Sequence, residues 1–148
     1  MDILIRPLEK GDIDTCLRIE NENFSMPWSG ESFEAACDLD YCHYLVAVCD
    51  GEVVSLAGYR ESYGEADIDN VFTDRKYQGR GIATRVLQKL IDEGTATGIT
   101  AFTLEVRVSN EPAIHVYEKL GFKSVGIRPR FYEKPVEDAN IMWLYISQ

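Results

Sequence analysis

Gln78, Gly79, Arg80, Gly81, Ile82 and Ala83 follow one another, and the chain behind them reads as an amphipathic helix. Two glycines one residue apart let the backbone turn tightly and approach a ligand with no Cβ in the way. A helix starting there aims its free N–H groups and the positive end of its dipole at the same point. The chemistry this spacing suits is the binding of an anion, most naturally a pyrophosphate.

Such a loop has to be held between a strand and a helix. Residues 68–73 predict the strand that runs into it. Ala83, Val86, Leu87, Leu90 and Ile91 recur at i, i+3, i+4, i+7 and i+8, one buried face of a helix whose end Gly94 and Gly98 are expected to punctuate. Upstream, residues 3–7 predict a first strand. Asp12 starts a helix with Ile13, Cys16, Leu17 and Phe24 on roughly one face, residues 26–29 break it, and residues 32–37 form a short second helix. Residues 43–49 and 53–60 predict paired strands joined at Asp50-Gly51, a hairpin signal. Downstream, Phe102, Leu104, Val106 and Val108 alternate with Thr103, Glu105 and Arg107 and predict a fifth strand. Ser109 or Asn110 caps another helix, with Pro112 in its first turn and Gly121 at its end. Residues 122–127 and 141–146 close the sheet. The expected class is α/β, a central mixed sheet of about seven strands with helices on both faces. All of residues 1–148 form one domain, without repeat, linker or low-complexity segment.

At 148 residues, with 45 % hydrophobic and 27 % charged content, the chain reads as a soluble globular domain with a real core. No apolar run approaches the ~18 residues of a membrane-spanning helix. The first residues lack the apolar region and cleavage site of a signal peptide. Cytoplasmic residence and no membrane partner are therefore expected. Cys16, Cys37, Cys42 and Cys49 show no C-x-x-C spacing, and only His43 and His115 accompany them. They are read as free, partly buried thiols, and no metal is expected. The net charge of −10 argues against a basic face for nucleic acid and suits a cationic partner, although acidity also serves solubility alone.

Three kinds of anion loop compete. A Walker loop ends in Gly-Lys-Ser/Thr, which does not follow Gly81. A dinucleotide fingerprint needs a third glycine where Thr84 stands, early in a βαβ unit. What remains is Q/R-x-x-G-x-G/A, which binds the pyrophosphate of coenzyme A, with Gln78, Gly81 and Ala83 at its fixed places. On these residues, and on the order of its elements, the chain resembles the GNAT superfamily of acyl-CoA-dependent N-acetyltransferases over essentially its whole length. The run from Leu104, Glu105, Val106 and Arg107 through Ser109 and Asn110 to Ala113, Ile114, Tyr117, Leu120, Gly121 and Phe122 looks like a block of the RimI-type branch, the protein N-terminal alanine acetyltransferases. Phe24, Pro27, Trp28, Ser29 and Phe33 are similar to a second block of that branch. Arg128, Pro129, Arg130, Phe131 and Tyr132, then Glu137, Asp138, Ala139 and Met142, are similar to a third.

Acetyl transfer from a thioester to an amine needs a base, because an α-amino group has a pKa near 8. It also needs donors for the oxyanion and a proton for the departing thiolate. Glu105 is the candidate base: Leu104 and Val106 help to desolvate it, and Arg107 on the same face opposes the rise in pKa. Tyr117 is the candidate acid, on a helix face shared with Ala113, Ile114 and Leu120. Both residues also fit bland roles, a strand ion pair and a core tyrosine. Asn110 suits both a helix cap and a cofactor contact. The backbone of Val71, Phe72 and Thr73 could pair with pantetheine amides and donate to the thioester oxygen.

The resemblance implies that Glu105 is the proton acceptor, Tyr117 the donor and Asn110 a cofactor contact. It implies acetyl-CoA binding by Val71, Phe72 and Thr73 and by Gln78, Gly79, Arg80, Gly81, Ile82, Ala83 and Thr84. Trp28 and Tyr132 match aromatic positions near the peptide cleft. The implied acceptor is the N-terminal alanine of a basic small-subunit ribosomal protein, attacked directly, with no cysteine as acyl carrier. The chain departs from the family at Asp69, Thr73, Arg75 and Phe131. Asp69, placed on the substrate side, puts the acceptor in more doubt than the reaction. A small-amine or lysine acetyltransferase and a non-catalytic acyl-CoA-binding regulator are the alternatives.

Overall fold

The computed structural model describes residues 2–146 and lays seven strands into one sheet. They are Ile3–Pro7 (β1), Cys42–Cys49 (β2), Glu52–Ser62 (β3), Glu65–Thr73 (β4), Ala101–Arg107 (β5), Lys123–Glu133 (β6) and Val136–Tyr145 (β7). Across the sheet they run β1-β2-β3-β4-β5-β7-β6. Helices Ile13–Asn23 (α1) and Gly30–Asp38 (α2) cover one face, and Ile82–Ala96 (α3) and Glu111–Lys119 (α4) the other.

The first four strands are an antiparallel meander. Asp50 and Gly51 turn β2 into β3 with φ of 51° and 80°, and Tyr63 and Gly64 turn β3 into β4 with 51° and 82°. Two left-handed central residues give the hairpin twist that matches the strands.

β4 and β5 are parallel, and they face each other only at Glu65–Ala101, Ala66–Phe102 and Asp67–Thr103. Beyond that point β4 continues to Thr73 and β5 to Arg107, and the two part. β5 stays paired along its other edge, from Ala101–Tyr145 to Arg107–Ala139 on β7. Within β4 the register slips: Ile68 faces Tyr59 and Asn70 faces Gly58, which leaves Asp69 as an extra residue. This bulge switches the strand's faces. Ile68 packs into the core under α3, whereas Phe72 packs into the core under α1 and α2.

Four residues of the expected α3 stripe, Val86, Leu87, Leu90 and Ile91, are buried in one core with Ala57, Tyr59 and Phe102. Ile82 completes the stripe in place of Ala83, which is half-buried and lines the groove described below. Each large apolar side chain buried this way contributes roughly 1.5–3 kcal/mol. Gly94 does not end the helix as expected. It is buried inside α3, where a Cβ would sit 2.9 Å from the Phe102 ring and 3.1 Å from Tyr59 Oη. It is there for close packing. Phe24 likewise leaves the expected helical face. α1 ends at Asn23, and Phe24 is extended and 40 % exposed. β5 stops at Arg107, one residue short of Val108. β6 and β7 exceed their expected spans because nearly all of β6 is an exposed edge strand, without the apolar alternation that marks a buried one. Cys16, Cys42 and Cys49 are buried free thiols, and Cys37 is half-buried. Among the described residues no helix is long and apolar enough to cross a membrane, and no three His, Cys, Asp or Glu gather to hold a metal ion.

Candidate active site

Gly79 and Gly81 both hold φ of 77°, a conformation that a side chain would strain. Gly81 is the N-cap of α3 and brings no side chain to its free N–H groups. A Cβ built on either glycine meets nothing within 4 Å, so the space before the helix is open. It forms the end of a groove of about 470 Å³ that also has Val71, Thr73, Ala83, Asn110 and Tyr117 in its wall. Gly79, Gly81, Ile82 and Thr84 line it as expected, and so does Phe72. The cradle has no Cβ on either glycine and faces a helix dipole, which fits a pyrophosphate. Arg80 is outside the groove wall, with its guanidinium 5.2 Å from the centroid of the Tyr77 ring.

The end of β4 is pinned from two sides. Gln78 Nε2 donates to the Thr73 carbonyl at 3.1 Å, and Asn23 Nδ2 donates to the same oxygen at 2.9 Å. Ser55 Oγ donates to the Phe72 carbonyl at 2.8 Å. The Gln78 side chain thus holds the strand end while its backbone belongs to the loop. Asn110 caps α4, its Oδ1 accepting from the Ala113 N–H at 3.3 Å, and still lines the groove.

Glu105 lies where β4 and β5 have parted, on the face of β5 opposite Leu104 and Val106. Burial and then the negative charge of Asp67 raise its pKa, and Arg128 lowers it. The opposing cation expected at Arg107 is therefore Arg128. Arg107 is engaged elsewhere: it donates to Glu137 at 3.2 Å and to the Pro135 carbonyl at 2.9 Å, and lies 4.3 Å from the centroid of Tyr132. Burial, then Glu105, push the Tyr132 phenol up to about 12. Tyr117 is only 7 % exposed, and burial, then Tyr132, push its pKa above the usual phenol range. It is a hydroxyl that stays protonated at neutral pH and faces the groove.

On the sheet face under α1 and α2, the face Glu105 shares, the Trp28 ring centroid lies 5.2 Å from that of Phe33 and 5.6 Å from that of Tyr44. Tyr44 packs where Gly58 leaves room, since a Cβ there would be 1.7 Å from the ring. The Tyr44 hydroxyl donates to Asp69 Oδ1, and Arg60 Nε is 3.3 Å from Oδ2. Burial raises the Asp69 pKa to about 6 despite those partners. Both Asp69 oxygens are thus held by the protein itself. Tyr44, Asn23 and Arg128 gave no signal of their own. Tyr44 reads as one apolar strand residue among several, Asn23 as a polar helix end, and Arg128 stood in a matched block without a role.

Residues 13–122 match the Acetyltransferase (GNAT) family. The putative [ribosomal protein bS18]-alanine N-acetyltransferase of Bacillus subtilis (strain 168) is 32 % identical over 145 residues, covering 97 % of this chain and 96 % of the relative. The [ribosomal protein bS18]-alanine N-acetyltransferase of Escherichia coli (strain K12) is 34 % identical over 145 residues, covering 97 % of each. The crystal structure of the ribosomal-protein-S18-alanine N-acetyltransferase from Escherichia coli superposes with a TM-score of 0.91 at 33 % identity, covering 99 % of this chain and 96 % of that one. Arabidopsis thaliana NAA60, crystallised with acetyl-CoA, shares the fold at a TM-score of 0.88 and 20 % identity, over 98 % of this chain and 99 % of its own.

Proposed function

The chain belongs to the GNAT acetyltransferase family and is an acetyl-CoA-dependent N-acetyltransferase, and from that premise we propose that it acetylates the N-terminal α-amino group, as alanine, of a ribosomal protein. Acetyl-CoA supplies the acetyl group as an activated thioester. Gly79, Gly81 and the first turn of α3 hold its pyrophosphate, and Asn110 contributes from the groove wall. Val71 and Thr73 offer backbone groups along the parted edge of β4, while Phe72 lines the groove with its carbonyl turned to Ser55. Glu105 accepts the proton that the attacking amine must lose as the nitrogen–carbon bond forms. Tyr117 donates a proton to the sulfur as the carbon–sulfur bond breaks. Trp28 and Tyr132 flank the acceptor, with Asp69 held behind them by Tyr44 and Arg60.

The observation that carries this reading is the groove lined by Gly79, Gly81, Asn110 and Tyr117, beside the gap where β4 and β5 part and Glu105 lies. A carboxylate raised by burial and a phenol kept protonated are the pair that direct attack needs. The acidic surface, net −10, favours encounter with a basic ribosomal protein. A small-amine or lysine acceptor and a sensor role are not favoured, because relatives covering nearly the whole chain are alanine N-acetyltransferases.

The test is thiol release from acetyl-CoA with two short basic peptides. One begins with a free alanine, and the other has a blocked N-terminus and an internal lysine. Release with the first alone supports the reading. Release with the lysine peptide, or with neither, overturns it.

A further inference from the structure

Glu20 is a carboxylate where the fold has little reason for one. It sits on α1, 2 % exposed, among the apolar residues that pack beneath α1 and α2. Its backbone carbonyl accepts the Phe24 N–H at 2.9 Å, and its side-chain Oε2 accepts the Trp28 N–H at 3.4 Å. The first of these is the closing backbone bond of α1, which any residue there would make. The second belongs to the Glu20 side chain and ties it to the far end of the loop of residues 24–28. The same loop touches the β6–β7 turn, where Ser25 Oγ donates to the Lys134 carbonyl.

The surroundings of Glu20 are polar but incompletely paired. The Asn70 amide faces the carboxyl group and favours its charged form, against burial, which raises the pKa. Glu20 Oε1, Asn70 Nδ2 and Asn23 Oδ1 have no hydrogen-bond partner among the described residues. A buried carboxylate costs desolvation, so one kept in this position answers to a specific contact. What an apolar side chain cannot do is accept the Trp28 N–H.

We propose that Glu20 is a positioning residue for the acceptor. By accepting the Trp28 N–H at the far end of the loop, its carboxylate fixes the Trp28 ring against Phe33 and Tyr44, on the wall of the acceptor cleft. It touches neither substrate. This inference rests on the functional reading above, in which Trp28 flanks the acceptor.

The test compares Glu20→Leu and Glu20→Gln with the parent, using acetyl-CoA and the free-alanine peptide. Glu20→Leu should raise the peptide KM by about fivefold or more while the acetyl-CoA KM stays within about twofold. Its Tm should fall by no more than about 5 °C, as the loss of one hydrogen bond allows, so the selective rise in peptide KM separates positioning from a purely structural role. Glu20→Gln keeps an oxygen for the Trp28 N–H and should restore most of the lost peptide affinity. A parent-like peptide KM in Glu20→Leu overturns the proposal, as does an equal loss in both KM values together with a lower Tm. Should that variant not fold, Glu20→Met carries the same comparison. If the parent acetylates no free-alanine peptide, the functional reading fails instead. The placement is then read from Trp28 emission in a Trp143→Phe background, where Trp28 is the sole tryptophan. A red shift on Glu20→Leu supports the grip, and an unshifted emission overturns it.

Discussion

The guanidinium of Arg107 lies over the ring of Tyr132, 4.3 Å from its centroid, and that stacking takes it away from Glu105. Arg107 is held there by Glu137 and by the carbonyls of Lys134 and Pro135. It braces the β6–β7 turn just beyond Tyr132, which lies near the end of β6. The cation left to face Glu105 is Arg128 of β6.

A pH dependence follows from this arrangement. Glu105 is raised by burial and by Asp67 and lowered by Arg128, so it protonates above the ordinary carboxylate range. Once protonated it cannot accept the amine proton. Below that pH, kcat/KM should fall more steeply than loss of the neutral amine alone requires. Arg128→Gln should move this break to higher pH and Asp67→Asn to lower pH. A break unmoved in both variants means that another group is titrating.

Replacing Glu105, the proposed base, isolates its chemistry. Glu105→Gln should lower kcat by about 10² to 10⁴ while acetyl-CoA affinity stays nearly intact, because the groove lies on the other side of the parted strands. Single-turnover rates and calorimetric titration with acetyl-CoA would check the two halves separately. Unchanged turnover removes Glu105 from the mechanism.

Tyr117→Phe keeps the ring that packs 5.9 Å from Phe122 and loses only the hydroxyl. Turnover should fall by about 10²-fold or more, with Tm nearly unchanged. A thioester with a more acidic leaving thiol should recover part of the loss, since it needs the donated proton less.

Gly81→Ala should act on the cofactor alone. The site holds φ of 77° with open space beside it, so the added methyl meets no protein atom. The left-handed conformation still costs about 1–2 kcal/mol for a residue with a Cβ. The acetyl-CoA KM should rise about tenfold or more while the peptide KM holds. Equal increases in both would place the loop outside the cofactor site.

Asp12 gives a stability prediction. Its carboxylate pairs with Arg6 at 2.8 and 2.9 Å and accepts the Glu9 N–H at 2.8 Å. Burial alone would raise its pKa, yet Arg6 and that N–H bring it below the usual value of 3.8. The folded state therefore favours the ionised form. The stabilisation is full above the unfolded pKa and is lost as pH falls through the lower, folded one. Asp12→Asn should cost about 2 kcal/mol in urea denaturation at pH 7, and the difference from the parent should shrink below about pH 4.

Much of the fold was legible because it is written in short periods. The α3 stripe from Val86 to Ile91 and the alternation of β5 mark themselves within a few residues. β6 was underestimated because an exposed edge strand buries no alternate face, and its order comes from β7. Gly94 looked like a stop because sequence alone does not show Phe102 and Tyr59 crowding it. The same limit applied to the site. Gln78, Gly79 and Gly81 are contiguous, and their chemistry follows from spacing. Arg128 facing Glu105, Asn23 pinning Thr73 and Glu20 gripping Trp28 are relations between side chains that only the folded chain brings together. The bulge at Asp69 is of the same kind. It exists only as a mismatch with β3.

β4 and β5 face each other at three positions and then part. The amides along their inner edges past Asp67 and Thr103 have no ladder partner there. In the free protein those amide hydrogens trade with solvent sooner than their neighbours deep in β3 or β7, and whatever lies along the edge slows them. The chain carries its own gauge of occupancy, legible in deuterium uptake with no dye, no label and no turnover.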